Sequence, residues 1–377
     1  MKILIDSRGA NWYRGTGIGT YTYNLLKHLI TIKNNNLYTL LWSGENFKEF
    51  QSNNCNIIMA SKKHRKFFEE FYVPNYIENH SINLYHIPQN GIGLSPKKNS
   101  LNIVTIHDLI PYVLPETTGR RYLKNFLYEM PQIIENTDGI LTVSNYSKND
   151  ILKFFPSFPE ERIFVTPLAA NSTFKVLDKE KALRDVQKKY NFTGDYIMYL
   201  GGFSTRKNVL SLIKAFNEIV NYLNTPTKLL IVGSLKDEGL KLREFSSTLK
   251  EKDNIIFTGF VEEDYLPTMY NGCKLFVYPS IYEGFGLPPL EAMNCGTPVL
   301  ASNITSIPEV VLDKEMLFNI DKENDLKEKL LNLLNNNDLL SKCSQKALDI
   351  SSKFTWDNTA LLTEKAYSSL LSLGKRN

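Results

Sequence analysis

Short apolar runs alternate with longer amphipathic stretches along most of this chain. The runs are rich in Val, Ile, Leu and Tyr and are bounded by polar residues, a pattern typical of buried strands. The stretches between them, such as TYTYNLLKHLI and RRYLKNFLYEMPQII, repeat their apolar positions with the period of a helix. In the first half the predicted strands are 2–6, 38–42, 56–59, 83–87, 102–106, 139–143 and 162–165. In the second half they are 196–201, 228–233, 254–259, 274–280 and 297–302.

Apolar strands that alternate with helices form parallel sheets with both faces covered. Two such sets predict an α/β protein with two Rossmann-like, doubly wound domains facing each other across a cleft. The segment PLAANSTFK at 167–175 has no periodicity and separates the sets, so we place the domains at 1–170 and 171–353. The tail, 354–377, is predicted as a helix with no strand after it, and we expect it to pack back on the first domain.

The composition is that of a globular protein. Of the 377 residues, 42% are hydrophobic and 22% are charged, which argues against disorder. The formal net charge of +4 is compatible with anionic substrates or a membrane surface, but it is too weak to predict nucleic acid as a partner.

Two further features bear on the compartment. The four cysteines lie far apart and form no C-x-x-C pair, which argues against a zinc site or a disulfide framework. The opening MKILIDSRG lacks the apolar core of a signal peptide, and no run approaches the ~20 apolar residues of a spanning helix. We therefore expect a cytoplasmic protein.

Ligands of doubly wound sheets bind beyond the carboxyl ends of the strands, so the candidate chemistry lies in the segments that follow them. After the first strand come Gly15, Gly17 and Gly19 at the start of a helix, where backbone N–H groups can approach an anion. The spacing is not that of a dinucleotide fingerprint, and a plain turn is the alternative. After 102–106 comes His107, which is placed to donate to a substrate hydroxyl or to be a structural histidine.

Two adjacent cations, Arg206 and Lys207, directly precede a predicted helix. The positive end of a helix dipole disfavours cations, so this placement suggests that an anion sits between them. A diphosphate would supply the missing charge, and an arginine can grip it with two hydrogen bonds. A solvated basic loop is the alternative.

The stretch YEGFGLPPLEAMNCG follows the strand at 274–280. Glu283 precedes a tight turn, Pro288 and Pro289 open a helix, and Gly296 is placed to cap its end. The turn and the helix start offer backbone N–H groups to a phosphate. We expect Glu291, in the first helical turn, to accept two hydroxyl hydrogen bonds from a ribose, and Glu283 to reach the group attached to the phosphate. Together with the two cations, these residues describe a site for a sugar joined to a nucleoside diphosphate.

These segments resemble retaining glycosyltransferases of the GT-B fold, family 4. The stretch EGFGLPPLEAM, with Glu283 and Glu291, matches the E-x7-E motif of that family. The segments GTGIGTYT, HD, GGFSTRKN and FTWDNTA match others in the same order, so the resemblance spans essentially the whole chain. It is strongest to bacterial members that build surface polysaccharides, many of them mannosyltransferases.

The resemblance implies that the first domain binds the acceptor and the second binds most of the nucleotide sugar, GDP- or UDP-linked. It also implies a role for each motif residue. Arg206 and Lys207 would neutralise the diphosphate, Glu283 and His107 would contact the sugar, and the Gly17 region would approach the phosphate from the first domain. The implied catalytic residues are His107, Arg206, Lys207 and Glu283. The implied donor-binding residues are Gly17, Arg206, Lys207, Glu283, Gly284, Phe285, Gly286, Leu287 and Glu291.

One departure concerns the phosphate contacts. Many relatives carry an arginine where this chain has Gly202, which leaves Arg206 as the guanidinium for the diphosphate. The chain contains no D-x-D pair, so we expect transfer without a metal or other cofactor, with cations and helix amides stabilising the leaving group.

The acceptor is least defined by the sequence. The resemblance implies a saccharide or a lipid-linked saccharide. The segments 62–72 and 120–124 mix cations with aromatic residues, which favours contact with an anionic membrane, although solvated helix faces have similar compositions. The protein would then lie on the inner face of the plasma membrane. A nucleotide-sugar epimerase or hydrolase of the same fold is one alternative, and a non-catalytic nucleotide-sugar-binding partner is another.

Overall fold

The computed structural model describes residues 1–95 and 99–376 and divides the chain into two compact units. The first unit comprises Met1–Leu168 and Thr355–Asn377, and the second comprises Ala169–Phe354. Each unit is built around one parallel sheet with helices between most of the successive strands. The prediction of two Rossmann-like, doubly wound domains is confirmed.

In its described residues, the first unit has a sheet of seven strands in the order β3-β2-β1-β4-β5-β6-β7, and every strand pair is parallel. The strands are β1 Lys2–Asp6, β2 Leu37–Trp42, β3 Cys55–Met59, β4 Leu84–Ile87, β5 Leu101–Ile106, β6 Gly139–Thr142 and β7 Ile163–Val165. The helices are α1 Gly9–Trp12, α2 Gly17–Leu29, α3 Arg65–Phe67, α4 Val73–Asn79, α5 Ile110–Val113, α6 Arg120–Glu135 and α7 Asn145–Phe154.

The second unit has a six-stranded parallel sheet in the order β10-β9-β8-β11-β12-β13. Its strands are β8 Asp195–Leu200, β9 Thr227–Val232, β10 Ile255–Gly259, β11 Leu275–Tyr278, β12 Val299–Ser302 and β13 Leu317–Phe318. Its helices are α8 Lys179–Tyr190, α9 Val209–Ile219, α10 Asp237–Ser247, α11 Leu266–Gly272, α12 Leu287–Asn294, α13 Ile307–Val311, α14 Asp325–Asn335 and α15 Asn337–Ser351.

The last helix, α16 Trp356–Leu373, belongs to the first unit. Thr355 caps its start by accepting a hydrogen bond from the backbone N–H of Asn358. On the helix, the hydroxyl of Tyr367 lies 2.7 Å from Nδ1 of the fully buried His86 on β4. The side chain of Leu370 packs over Gly139, where any Cβ would come within 3 Å of it. The tail is therefore part of the core of the first unit.

Both sheets have a switch point, where the direction of strand progression reverses. In the first sheet it lies between β1 and β4, and in the second it lies between β8 and β11. Ligands of doubly wound folds bind beyond the carboxyl ends of strands at this point. The segments that follow these four strands are therefore the places to look for a site.

Within the part of the chain that the structure describes, no helix combines the length and the apolar character needed to cross a membrane.

Candidate active site

The switch point of the second unit brings together two of the predicted segments. Beyond β8 the chain forms a short 3-10 turn, Thr205–Lys207, before α9. Beyond β11 it runs through Glu283 to the start of α12. Asn208 adopts a left-handed conformation, with φ of 52°, between the turn and α9, and this reversal follows directly on the two cations.

Arg206, Lys207 and Glu283 form an ion-pair triad. The Nη1 atom of Arg206 lies 3.2 Å from Oε2 of Glu283, and the Nζ atom of Lys207 lies 2.5 Å from Oε1 of the same carboxylate. The carboxylate is thus shared between two cations, and the triad carries a net charge of +1. Glu283 thus already places one negative charge between these cations, where the sequence suggested a diphosphate. The binding of a diphosphate to Arg206 and Lys207 stays a prediction.

The triad also sets the protonation state of its carboxylate. Burial by itself raises the pKa of Glu283, but the charges of Lys207 and Arg206, with the hydrogen bond from Lys207, lower it below its ordinary value. Glu283 is therefore ionised at neutral pH, and both cations retain a partner.

Contacts with the backbone hold the cations in place. The backbone N–H of Ile281 donates to the carbonyl of Arg206 over 2.8 Å, and Arg206 Nη1 donates to the carbonyl of Tyr282 over 3.0 Å. Lys207 Nζ donates to the hydroxyl of Tyr278, the last residue of β11, over 3.0 Å. Tyr278 was not singled out from the sequence, although its place at the carboxyl end of a strand was a usable signal.

A buried serine, Ser306, holds the turn after Glu283 through two backbone carbonyls. The hydroxyl of Ser306 donates to the carbonyls of Glu283 and Phe285, each over 2.8 Å. Gly286, with φ of 128°, leads into α12, and this conformation is rarely open to other residues. Gly284 lies between the two tethered carbonyls, and Leu287 is the first helical residue. The turn predicted to offer N–H groups to a phosphate is thus held in one conformation.

Glu291 lies further along α12 than predicted. It is the fifth residue of a helix that begins at Leu287, so its placement in the first turn was wrong. Its Oε2 accepts a hydrogen bond of 3.0 Å from the hydroxyl of Tyr270 on α11, a residue that the sequence did not indicate. Burial raises the pKa of Glu291 to about 7, and Tyr270 only partly offsets this effect.

His107 lies in the first unit, directly beyond β5, and is buried. Its Nε2 lies 3.0 Å from the carbonyl of Pro88, so this nitrogen carries the proton. Burial lowers the pKa of His107 to about 4, which keeps the ring neutral at physiological pH. The remaining nitrogen, Nδ1, then carries no proton, so the predicted donation from His107 to a substrate hydroxyl is wrong for this tautomer. Any contact of His107 with a sugar stays a prediction.

Gly17 is the first residue of α2, and Thr16 caps this helix by accepting from the backbone N–H of Gly19. A Cβ at Gly19 would lie 2.2 Å from the carbonyl oxygen of Tyr13, so packing requires a glycine there. A Cβ at Gly17 would meet nothing within 4 Å, and its φ is not left-handed. Neither packing nor a left-handed backbone requires a glycine at position 17, and the approach of a phosphate to Gly17 stays a prediction.

Gly202 has similarly open surroundings, with no atom within 4 Å of a Cβ built on it. Its carbonyl accepts a hydrogen bond of 2.6 Å from Tyr199. Crowding at the Cβ position therefore does not require a glycine at position 202.

Among residues 1–95 and 99–376, no three His, Cys, Asp or Glu side chains are grouped in a way that could hold a metal ion.

Comparisons with known proteins agree with this architecture. The sequence model described as "Glycosyl transferases group 1" matches residues 182–349, which lie within the second unit. The chain is 32% identical over 281 residues to the serotype-specific mannosyltransferase WbdA of Escherichia coli, covering 72% of this chain and 34% of that protein. The chain thus spans about a third of the length of that relative.

A second relative matches from end to end. The O-antigen chain mannosyltransferase B of Escherichia coli is 28% identical over 389 residues, covering 98% of this chain and 100% of that protein. Among solved structures, the sucrose-phosphate synthase of Thermosynechococcus elongatus superposes with a TM-score of 0.73 at 20% identity, over 99% of both chains. This likeness shows the fold, which is GT-B. The resemblance stated from the sequence is confirmed to this extent: the fold is GT-B, and residues 182–349 of the second unit match the group 1 glycosyl transferases.

Proposed function

We propose that this protein is a retaining glycosyltransferase that moves mannose or another hexose from a nucleoside-diphosphate sugar to a saccharide or a lipid-linked saccharide. Its place would be in cell-surface glycan synthesis. The observation that carries the proposal is the cationic triad at the switch point of a group 1 glycosyl transferase unit. The names of the two relatives, both mannosyltransferases, support mannose as the first sugar to test.

The donor's diphosphate is assigned to Arg206 and Lys207. The net positive charge of the triad attracts an anion, and an arginine beside a lysine provides several charge-assisted hydrogen bonds. The amides of Gly284, Phe285, Gly286 and Leu287 are added as neutral donors, because the turn is already fixed by Ser306. A preformed set of donors lowers the cost of reorganisation during the reaction.

In this proposal the two glutamates, Glu283 and Glu291, bind different parts of the donor. Glu291 accepts hydrogen bonds from the ribose hydroxyls, with Tyr270 holding the carboxylate in position. Glu283 contacts the hydroxyls of the transferred sugar, close to the cations that bind the diphosphate. The second unit, 171–353 in the predicted division, is therefore the donor-binding domain in this proposal.

The first unit is assigned the acceptor. His107 contributes Nδ1, which accepts a hydrogen bond from a sugar hydroxyl, and Gly17 lets the amide end of α2 approach a phosphate. The Nε2 contact with Pro88 fixes the ring tautomer for this role.

The proposed reaction needs no metal or other cofactor. The acceptor oxygen forms a bond to the anomeric carbon while the bond from that carbon to the diphosphate oxygen breaks. A diphosphate oxygen takes the acceptor's proton on the same face, so the anomeric configuration is retained. Arg206 and Lys207 stabilise the negative charge that develops on the leaving group.

The test is turnover of GDP- and UDP-linked hexoses carrying a labelled sugar, with and without saccharide acceptors, followed by NMR of the product's anomeric proton. Transfer with retention supports the proposal. Release of free sugar at the same rate without acceptor would identify a hydrolase, and a change of sugar stereochemistry would identify an epimerase. Binding without any turnover would identify a partner protein. A thermal-shift panel of nucleoside diphosphates selects the base, because only a ligand of the folded state raises the melting temperature.

A further inference from the structure

Three hydroxyl groups join the segment after β12 to the turn after β11 in the second unit. They belong to Ser302, Thr305 and Ser306, and each forms a hydrogen bond with the backbone of residues 280–285. The hydroxyls of Ser302 and Ser306 donate to carbonyl groups, and both serines are fully buried. The hydrogens of these two hydroxyls are therefore already engaged inside the protein.

Thr305 forms the opposite kind of hydrogen bond. Its Oγ1 accepts from the backbone N–H of Glu283 over 3.2 Å. A hydroxyl group also has one hydrogen to donate, and accepting a bond does not engage it. Within residues 1–95 and 99–376 the Thr305 hydroxyl donates to no acceptor, and the residue is partly exposed. Its hydrogen is therefore available to a ligand.

The backbone at Thr305 is strained. Its φ of 56° is left-handed, a conformation that is a rare outlier for a β-branched residue. In the described part of the chain eight non-glycine residues have a positive φ, and five of them are asparagines, which tolerate it. Thr305 is the one β-branched residue among these eight. Strain of this kind is often found at ligand sites, so a reason for this threonine is to be sought in binding.

Thr305 belongs to the candidate donor site through Glu283. The carboxylate of Glu283 is held by Arg206 and Lys207, and its backbone N–H is held by Thr305. An ionised carboxylate only accepts hydrogen bonds, whereas the Thr305 hydroxyl has a hydrogen to donate. A sugar hydroxyl both donates and accepts, so it suits the two groups together. A phosphate oxygen only accepts and would be repelled by the carboxylate.

We propose that Thr305 is a specificity-determining residue of the donor site, whose hydroxyl donates a hydrogen bond to a hydroxyl of the transferred hexose. This role depends on the proposed function, because it places a hexose beside Glu283. Hexose epimers differ in the direction of one hydroxyl group. A donor fixed on the protein therefore favours the epimer whose hydroxyl points toward it and rejects an analogue that lacks the hydroxyl.

The test is calorimetry of the full chain with GDP-mannose, UDP-glucose and the monodeoxy analogues of whichever binds more tightly. It requires neither acceptor nor turnover. Thr305→Val keeps the shape of the side chain without the hydroxyl and should bind the hexose donor about tenfold more weakly. For one deoxy analogue, the loss of affinity should be about tenfold larger in the unchanged protein than in Thr305→Val, because the two changes remove the same hydrogen bond.

Two further variants protect this comparison. Thr305→Gly also lacks the hydroxyl but adopts a left-handed conformation without strain, so it repeats the test in a variant whose fold is not at risk. Thr305→Ser keeps the hydroxyl and should bind the hexose donor within about twofold of the unchanged protein. It should melt at an equal or higher temperature, since serine is not β-branched.

A threonine that only positioned Glu283 would give a similar pattern through that carboxylate. The comparison is therefore repeated with Glu283→Gln present in both proteins. A direct contact between Thr305 and the sugar hydroxyl should persist in this background, whereas an effect transmitted by the carboxylate should vanish.

The matched control is Thr227→Val, which removes a buried hydroxyl at the amino end of β9, on the opposite edge of the same sheet. It should bind every donor as the unchanged protein does. Three results would overturn the proposal: no deoxy analogue shows the difference, the difference vanishes with Glu283→Gln, or Thr305→Val weakens the free nucleoside diphosphate equally, which would place the hydroxyl on a phosphate. Binding of neither GDP-mannose nor UDP-glucose would contradict the proposed function, and the role of Thr305 with it.

Discussion

The switch points of the two sheets carry ion-pair clusters that differ in charge balance and in exposure. In the first unit Arg8 is fully buried and donates to Asp6 over 2.8 and 2.6 Å and to Glu69 over 2.9 Å. Arg65 also binds Glu69, so two carboxylates meet two guanidinium groups and the charges cancel. In the second unit one carboxylate, Glu283, is shared by two cations whose side chains are 19% and 12% exposed.

This difference indicates different roles for the same topological position. A balanced cluster whose central pair, Arg8 and Asp6, is fully buried has little attraction for a further anion, and it joins the loops that surround it. A partly exposed cluster with a net charge of +1 attracts an anion and can bind it without first breaking a buried pair. The first cluster is therefore structural, and the second is the candidate phosphate site.

The largest effect expected from this comparison is on stability. Arg8→Ala should lower the free energy of unfolding by about 3–5 kcal/mol, because Asp6 would be left buried without its cation. Urea unfolding followed by circular dichroism measures this. Arg65→Ala is the matched control, since Arg65 binds the same Glu69 from an exposed position and should cost less than about 1 kcal/mol. Equal losses of unfolding free energy in the two variants would contradict the prediction that the buried arginine contributes more to stability than the exposed one.

The second prediction concerns the cations of the triad. Arg206→Ala and Lys207→Ala should each reduce kcat/KM for the donor roughly ten- to hundredfold, because each removes a charge-assisted contact of about 1.5–3 kcal/mol. Steady-state kinetics measures the loss, and circular dichroism should show a retained fold. Arg184→Ala, which removes an exposed arginine of the same unit that pairs with Glu180, should leave activity unchanged. Unchanged kinetics in both triad variants would show that Arg206 and Lys207 do not bind the diphosphate of the donor.

The sequence predicted the sheets well because their strands are buried on both faces and therefore appear as continuous apolar runs. All twelve predicted strands are present, with ends shifted by at most two residues. The strand Leu317–Phe318 was missed because two residues are too few to show any periodicity. The tail was predicted as a helix from its pattern alone, whereas its contact with His86 depends on residues 281 positions apart.

The candidate site was harder to predict, because its contacts join segments that are distant in the sequence. Adjacent cations and the E-x7-E spacing indicated which residues matter, but the pairing of Lys207 with Glu283 spans 76 positions and no local pattern encodes it. Likewise, the tautomer of His107 is set by the carbonyl of Pro88. The sequence therefore indicated which residues form the candidate site, but it did not indicate which residue each of them contacts.

The third prediction uses the shared carboxylate. Glu283→Gln removes one negative charge from beside the phosphate site, so the free nucleoside diphosphate should bind about tenfold more tightly. Turnover should fall at the same time, because the contact to the transferred sugar is weakened. Calorimetry of the diphosphate beside steady-state kinetics separates the two effects. Weaker diphosphate binding in this variant would show that Glu283 supports the nucleotide rather than the sugar.

The fourth prediction concerns Glu291. Unlike Glu283, it has no cation beside it to offset the effect of burial on its pKa. With a pKa of about 7, it is mostly ionised at pH 8 and mostly neutral at pH 6. Affinity for the nucleoside diphosphate should therefore fall about tenfold from pH 8 to pH 6, if the ionised form accepts the ribose hydrogen bonds. Calorimetry at several pH values measures this, and Glu291→Gln is the control, since it shares every other titration, including that of the phosphate.

The raised pKa of Glu291 also makes the stability of the protein depend on pH. A carboxyl group whose pKa is raised on folding contributes most below its unfolded value, and this contribution is lost as the pH rises through about 7. Glu291→Gln keeps an acceptor for Tyr270 without the charge, so it should melt at a higher temperature than the unchanged protein at pH 8 but not at pH 5. A variant that is less stable at pH 8 would show that the ionised carboxylate is well solvated.

The smallest effect is expected from removal of divalent ions. In the proposed mechanism Arg206 and Lys207 supply the positive charge that a metal ion provides in other diphosphate-dependent transferases. Turnover should therefore stay within about twofold in saturating EDTA, whereas the single cation variants lose far more. The sharper measurement is EDTA applied to Lys207→Ala, with and without added magnesium. If magnesium restored that variant, an ion would be able to take the place of a cation; if the unchanged protein itself required magnesium, the triad would not be the source of the charge.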